Sequence, residues 1–186
     1  MLDISSLTNK QIYLKSSPKD KLLEDNFEFK SSKVENLDNN QVLVEVIYIS
    51  IDAANRAWMQ GRTYRSQILP GDVMGGYALG IVIATNNSDF NIGDYVEGDL
   101  GWQNYAIRDA KELIKTSIKS SENLHMSVLG ITGKTAYFGL NLAGLKKGET
   151  VLISAAAGAV GNVAGQIAKI KGCKVIGITS SDEKAI

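Results

Sequence analysis

Residues 151–161, VLISAAAGAVG, constrain this chain more than any other stretch. An apolar run, Val151-Leu152-Ile153, enters a cluster of small residues that closes in Gly158-Ala159-Val160-Gly161. Beyond it, Val160, Val163, Ala164, Ile167 and Ala168 fall at the spacing of one helix face, and Gly172 supplies a stop. Residues 173–179, CKVIGIT, then read as a second strand, buried in the manner of a parallel sheet. Strand, tight turn, helix, strand is the unit that dinucleotide-binding folds use to hold a pyrophosphate. The turn reads A-x-G-x-x-G, with Ala156 in the first glycine position. Side chains there would block an anion from the backbone N–H groups, so Gly and Ala are required. Gly158 is expected to allow the close approach and Gly161 to let the helix pack on the strand. The alternative is a strand–helix packing turn with no ligand.

The cofactor class is read at the end of the second strand. Ile178-Thr179-Ser180 carries no acid at the tip, where an NAD site places one for the ribose diol. Ser180, Ser181 and Lys184 form a set of hydroxyl and ammonium donors suited to the 2′-phosphate of NADP(H). Asp182 keeps NAD open, although Ser180-x-x-Glu183 reads as a capping box that would place Asp182 in the first turn of the next helix.

Ahead of this unit the chain is β-rich. Residues 11–14, 41–50 (QVLVEVIYIS), 78–85 (ALGIVIAT), 95–98 and 103–107 read as strands, with turns at Asn86-Asn87 and Ile92-Gly93-Asp94. Short strands at this spacing suggest a compact barrel or sandwich. Residues 52–60, DAANRAWMQ, interrupt it with a helical turn, and residues 121–144 read as two helical pieces broken near Gly130 to Gly133. The expected domains are therefore 1–120 and 121–186.

Composition narrows the function classes. Twenty Lys and Arg balance twenty Asp and Glu, so nothing electrostatic points to nucleic acid or a membrane surface. No run of eighteen apolar residues marks a membrane span, and the N-terminus has no apolar signal core. The single cysteine, Cys173, suits a reducing compartment, so a cytoplasmic location is expected. One cysteine and one histidine, His125, cannot build the usual zinc site, and no metal is expected. His125 reads as a helix-end residue. Gly133-Lys134-Thr135 imitates the end of a phosphate-binding loop, but Val128 stands where that motif needs glycine.

Gly148-Glu149-Thr150-Val151, together with SAAAGAVGNVAGQIAKIKGCKVIGITSSDEK, resembles the zinc-free medium-chain dehydrogenase/reductases. Within them the resemblance is to the NADP-dependent alkenal and prostaglandin reductases, the leukotriene B4 dehydrogenase-like group. Tyr48-Ile49-Ser50-Ile51-Asp52 with Asn55-Arg56-Ala57-Trp58-Met59, Gly71-Asp72-Val73-Met74, Gly101-Trp102-Gln103-Asn104-Tyr105 and residues 130–139 (GITGKTAYFG) carry it along most of the chain. The resemblance implies an α/β protein with a β-barrel, a GroES-like N-terminal domain followed by the start of a Rossmann domain. It implies pyrophosphate contacts at Gly158, Ala159, Val160 and Gly161, and 2′-phosphate contacts at Lys184 with Ser180. Asn55 and Tyr64 match positions lining the nicotinamide and substrate cleft, and Thr132 and Thr135 lie in the segment approaching the nicotinamide. The implied chemistry is NADPH-dependent reduction of the C=C bond of an α,β-unsaturated carbonyl compound. Tyr64 then serves as hydrogen-bond or proton donor to the enolate; a packed loop tyrosine is the alternative. A quinone reductase of the same superfamily and a non-catalytic remnant are the competing readings. A doubly wound sheet needs on the order of 100–150 residues. With the chain ending at Ile186, the expectation is an N-terminal portion, inactive alone, of a protein that is a homodimer when complete.

Overall fold

The structure, a computed structural model, describes residues 3–118 and 121–185. The chain divides into two compact units on either side of residues 119–120. The expected boundary at 120 thus falls next to residues outside those described.

In the first unit, β1 (Thr8–Leu14) and β2 (Phe27–Lys33) form an antiparallel hairpin, in register from Thr8 opposite Lys33 to Leu14 opposite Phe27. Strands β3 (Gln41–Ile49), β4 (Tyr77–Thr85), β5 (Tyr95–Asp99), β6 (Tyr105–Asp109) and β7 (Ile114–Thr116) make an antiparallel sheet in the order β6-β3-β4-β5-β7. Single bridges, Gln11 to Gln103 and Tyr13 to Val73, tie the hairpin to the segments that lead into β6 and β4, so the described strands do not close the expected β-barrel with a continuous ladder. Helix α1 (Ala53–Gln60) follows β3. Two of the strands were not evident in the sequence. Strand β2, FEFKSSK, exposes six of its seven residues and so shows no alternation, and β7 has only three residues. Strand β6 begins at Tyr105 instead of Gln103, because Gln103 is diverted into the bridge to Gln11.

Alternation on β3 and β4 fills a core of Val42, Val44, Ala78, Val82, Phe90, Val96, Leu100, Ala106 and Leu113. A second cluster, Leu14, Trp58, Met59, Ile68 and Met74, seats α1. Each fully buried Val or Leu contributes roughly 1.5–3 kcal/mol. Strand β3 carries register shifts at Leu43/Val44 and Val46/Tyr48. Gly80 is needed opposite it: a Cβ there would stand 2.3 Å from Val44 Cγ1 and 2.5 Å from the Glu45 carbonyl oxygen.

The second unit contains α2 (Glu122–His125), α3 (Ile131–Leu142), β8 (Thr150–Ile153), α4 (Ala159–Ile170) and β9 (Lys174–Gly177). Strands β8 and β9 pair in parallel, from Thr150 opposite Lys174 to Ile153 opposite Gly177, with α4 as the crossover. Gly133 is a helix residue. Its missing Cβ makes room for the Val128 carbonyl, which accounts for the GKT imitation by packing. His125 ends α2. The expectation of a buried second strand is corrected. Cys173 is buried but precedes β9, and Ile176 and Ile178 are 45% and 51% exposed. A parallel pair needs cover on both faces, and one crossover helix covers only one. Among the described residues, no helix is long and apolar enough to cross a membrane.

Candidate functional site

Between β8 and α4 the backbone makes a tight turn. Ala155 takes a left-handed conformation, φ 48°, which costs an L-residue about 1–2 kcal/mol. The Gly158 N–H closes the turn on the Ala155 carbonyl at 2.8 Å, and the Ala156 N–H donates to the Ile178 carbonyl at 2.9 Å. Gly158 is the N-cap of α4, so the N–H groups of Ala159, Val160 and Gly161 have no intrahelical acceptor. These donors lie at the positive end of a twelve-residue helix, an arrangement that attracts an anion.

Gly161 has a different structural role from the one expected. A Cβ on it would stand 2.3 Å from the Ala155 carbonyl oxygen and 2.9 Å from Ala156 Cα, so its bareness keeps the turn closed. Gly165 is the helix glycine that faces the strands, with Ile153 and Val175 methyls 3.7 Å from its notional Cβ. At Gly158 a Cβ would meet the Ala155 carbonyl at 3.1 Å.

A cleft of ≈ 490 Å³ opens beside this turn, lined by Ala155, Ala157, Gly158, Ile178, Thr179, Ser180 and Lys184. Lys184 Nζ donates to Ser180 Oγ at 3.2 Å. Folding thus gathers Gly158, Ser180 and Lys184, which are up to 26 residues apart, into one hollow; Asp182 is not among its lining residues. The expected capping box is corrected here. Ser181, not Ser180, precedes the short 3₁₀ turn Asp182–Lys184, and no side chain caps it. The Ser180 hydroxyl is instead drawn to the Lys184 ammonium. Asp182 does lie in the first turn.

The remaining candidates do not line that cleft. Thr132 Oγ donates to the Ser127 carbonyl at 2.9 Å, and Thr135 Oγ to the Ile131 carbonyl at 2.7 Å, so both hydroxyl protons are used by α3 and its entry. Asn55 is 3% exposed. Its Oδ1 accepts the Asp52 N–H at 2.6 Å, and its Nδ2 donates to the Gly75 carbonyl at 3.0 Å, pinning the start of α1 to the approach to β4. Tyr64 stands on the loop between them, 83% exposed, its ring edge-on to Trp58. The apolar hollow of the first unit, ≈ 600 Å³ between Ile12, Phe29, Val46, Ile49 and Trp102, includes neither Asn55 nor Tyr64. Among the described residues, no three His, Cys, Asp or Glu side chains converge as a metal-binding group.

The sequence reading missed a polar arrangement around Tyr64. Arg65 Nη1 lies 2.5 Å from Asp99 Oδ2, and Asp99 Oδ1 accepts the Gly76 N–H at 2.8 Å. Nothing in the spacing of residues 65 and 99 pairs them. A second is the Tyr77 hydroxyl, which donates to the buried Glu97 carboxylate at 3.0 Å. Burial, that hydrogen bond and the carboxylate's charge push the Tyr77 phenol up to about 12.

The family model described as the N-terminal domain of oxidoreductase matches residues 10–116. Prostaglandin reductase 1 of Mus musculus is 42% identical over 164 residues, 86% of this chain and 48% of its own length. The NADPH-dependent curcumin reductase of Escherichia coli (strain K12) is 35% identical over 179 residues, covering 95% of this chain and 52% of that protein. The crystal structure of CurA from Vibrio vulnificus in complex with NADPH superposes with a TM-score of 0.84 at 35% identity, over 94% of this chain and 52% of that one. The chain spans about half the length of the curated relatives it matches. The architecture is theirs: a GroES-like N-terminal arrangement followed by the opening of a Rossmann unit. With the turn between β8 and α4 in place beside that domain match, the chain belongs to the medium-chain dehydrogenase/reductase family of oxidoreductases.

Proposed function

We propose that the protein acts in NADPH-dependent reduction of the C=C bond of α,β-unsaturated carbonyl compounds. Residues 1–120 form the GroES-like domain and residues 121–186 the first part of the Rossmann domain. The observation that carries the reading is the cleft that joins the N-terminus of α4 to Ser180 and Lys184. The cleft and the adjoining first turn of α4, whose residues Ala159, Val160 and Gly161 do not themselves line it, together offer donors for a cofactor with two phosphate sites. The N–H groups of Ala159, Val160 and Gly161 would hold the pyrophosphate, and the Lys184 ammonium with the Ser180 hydroxyl would hold the 2′-phosphate.

Bound there, NADPH supplies a hydride for the substrate's β-carbon. Charge then builds on the carbonyl oxygen, and Tyr64 is the residue we assign to meet it with a hydrogen bond or proton. Asn55 holds the approach to β4 through the Gly75 carbonyl. Thr132 and Thr135, their protons engaged, would serve the nicotinamide side as acceptors. The expected cytoplasmic location and homodimer of the complete protein belong to this same proposal.

Fluorescence titration of the chain, and of any longer form containing it, with NADPH and NADH tests the cofactor assignment. NADPH is expected to bind more tightly. A hydrogen bond to a charged group contributes about 1.5–3 kcal/mol, so Lys184→Ala should weaken NADPH roughly 10–100-fold and leave NADH nearly unchanged. Tighter NADH binding by the unaltered chain refutes the assignment. Parallel turnover assays with an enone and a quinone separate the proposed substrate class from its superfamily rival.

A further inference from the structure

Residues 61–76 connect α1 to β4 and carry Tyr64. Among the described residues no hydrogen bond holds the Tyr64 hydroxyl, and at 83% exposure little packing holds the ring. Its anchor is a T-shaped ring contact. Trp58, on α1 and 6% exposed, meets Tyr64 with centroids 6.0 Å apart and ring planes at 87°. The Arg65 guanidinium lies over the same Trp58 ring, 4.5 Å from its centroid. Arg65 is in turn held by Asp99 at the end of β5, and the other Asp99 oxygen holds Gly76. A Cβ on Gly75 would stand 2.8 Å from both terminal nitrogens of Arg65, so the bare backbone lets the guanidinium lie directly against it.

We infer that Arg65 and Asp99 are positioning residues. Their ion pair, seated against Gly75 and Gly76 and stacked on Trp58, fixes the Tyr64 ring in the orientation its proposed role requires. The inference rests on the reading of Tyr64 as donor to the enolate. The physical case is geometric. A donor displaced by about 1 Å forfeits on the order of 10²-fold in rate. An arginine suits the place because a planar guanidinium lies flat on an indole while its in-plane N–H groups meet a carboxylate, whereas an ammonium is a point charge with no plane to stack. The pair is partly exposed, with side chains 29% and 44% accessible, and pairs of that kind add little stability. Its loss should therefore release the Tyr64 loop without unfolding the sheet.

The test uses the 186-residue chain labelled with 3-fluorotyrosine, with the Tyr64 resonance assigned by Tyr64→Phe. Arg65→Ala should move the Tyr64 ¹⁹F resonance toward its random-coil position and narrow it, leaving the other six tyrosines in place. Asp99→Asn keeps an acceptor for the Gly76 N–H and should give the same change. Arg65→Lys should give an intermediate shift. A Tyr64 resonance unmoved in Arg65→Ala and Asp99→Asn, with the other resonances still dispersed, overturns the inference. In the NADPH-dependent enone assay of a form that turns over, Arg65→Ala should lower kcat about 10²-fold with little change in KM. It should add nothing in the Tyr64→Phe background. If the resonance moves while Tyr64→Phe leaves kcat intact, the clamp stands and the catalytic reading of Tyr64 falls.

Discussion

The two units of this chain solve the burial problem differently. The first sets strands of long apolar residues around shared cores, and Leu14, Leu43, Leu79, Met74 and Leu100 have no accessible surface. The second buries mainly small residues, among them Ala136, Ala164, Ala168 and Cys173, while Leu142 is 90% and Ile170 85% exposed. On the strands the difference follows sheet type. An antiparallel sheet needs one covered face, which the first unit's own strands and α1 provide. A parallel pair needs two, and β8 and β9 have α4 for one of them. Yet the second unit holds the better-formed ligand feature. A phosphate turn needs only a strand end, a tight turn and a helix start, all local in sequence. The turn's geometry therefore needs fewer residues than burial of the strand pair does.

The largest expected effect tests that contrast directly. Leu79→Ala in the first unit should cost about 2–5 kcal/mol, because the cavity cannot collapse in a closed core. Leu142→Ala, equally apolar, should fall within about 0.5 kcal/mol of zero. Urea unfolding of both variants gives the comparison, and equal losses would break it.

Next comes Gly161→Ala, which forces a methyl against the Ala155 carbonyl. It should cost about 1–3 kcal/mol in the second unit alone and abolish NADPH binding by opening the turn. Retained affinity in a fluorescence titration would show that the turn does not depend on that contact. The smallest effect belongs to the first unit's partly buried Tyr77–Glu97 pair. The folded pKa of Tyr77, about 12, lies above its ordinary value of 10.0. The pair's contribution is thus fully present below pH 10 and is lost as pH rises through 12. The urea midpoint should fall across that window, and Tyr77→Phe should flatten the fall.

The residues of the candidate cleft were legible because they are local. The order strand, turn, helix, strand follows from apolar spacing, and the A-x-G-x-x-G turn with Ser180 and Lys184 follows from residue type. Strand β3 was legible from alternation and β-branched residues, and β4 and β5 from short runs bounded by the turns at Asn86-Asn87 and Ile92-Gly93-Asp94. Strand β2 was not, because its residues are mostly solvated and carry no period. The left-handed Ala155 was hidden as well, since alanine gives no signal for positive φ.

The sequence alone determined the class of the molecule: a phosphate turn preceded by a β-rich segment, with donors for a second phosphate where an NAD site would place an acid. These are properties of neighbouring residues, whose interactions follow from backbone geometry and side-chain chemistry. Tertiary structure alone decided that Gly161 serves the turn and Gly165 faces the strands, that Ser180 turns to Lys184 instead of capping a helix, and that Arg65 meets Asp99 beside Gly75 and Gly76. Each of those choices depends on which atoms folding brings within a few ångströms, and spacing along the chain carries no record of that distance.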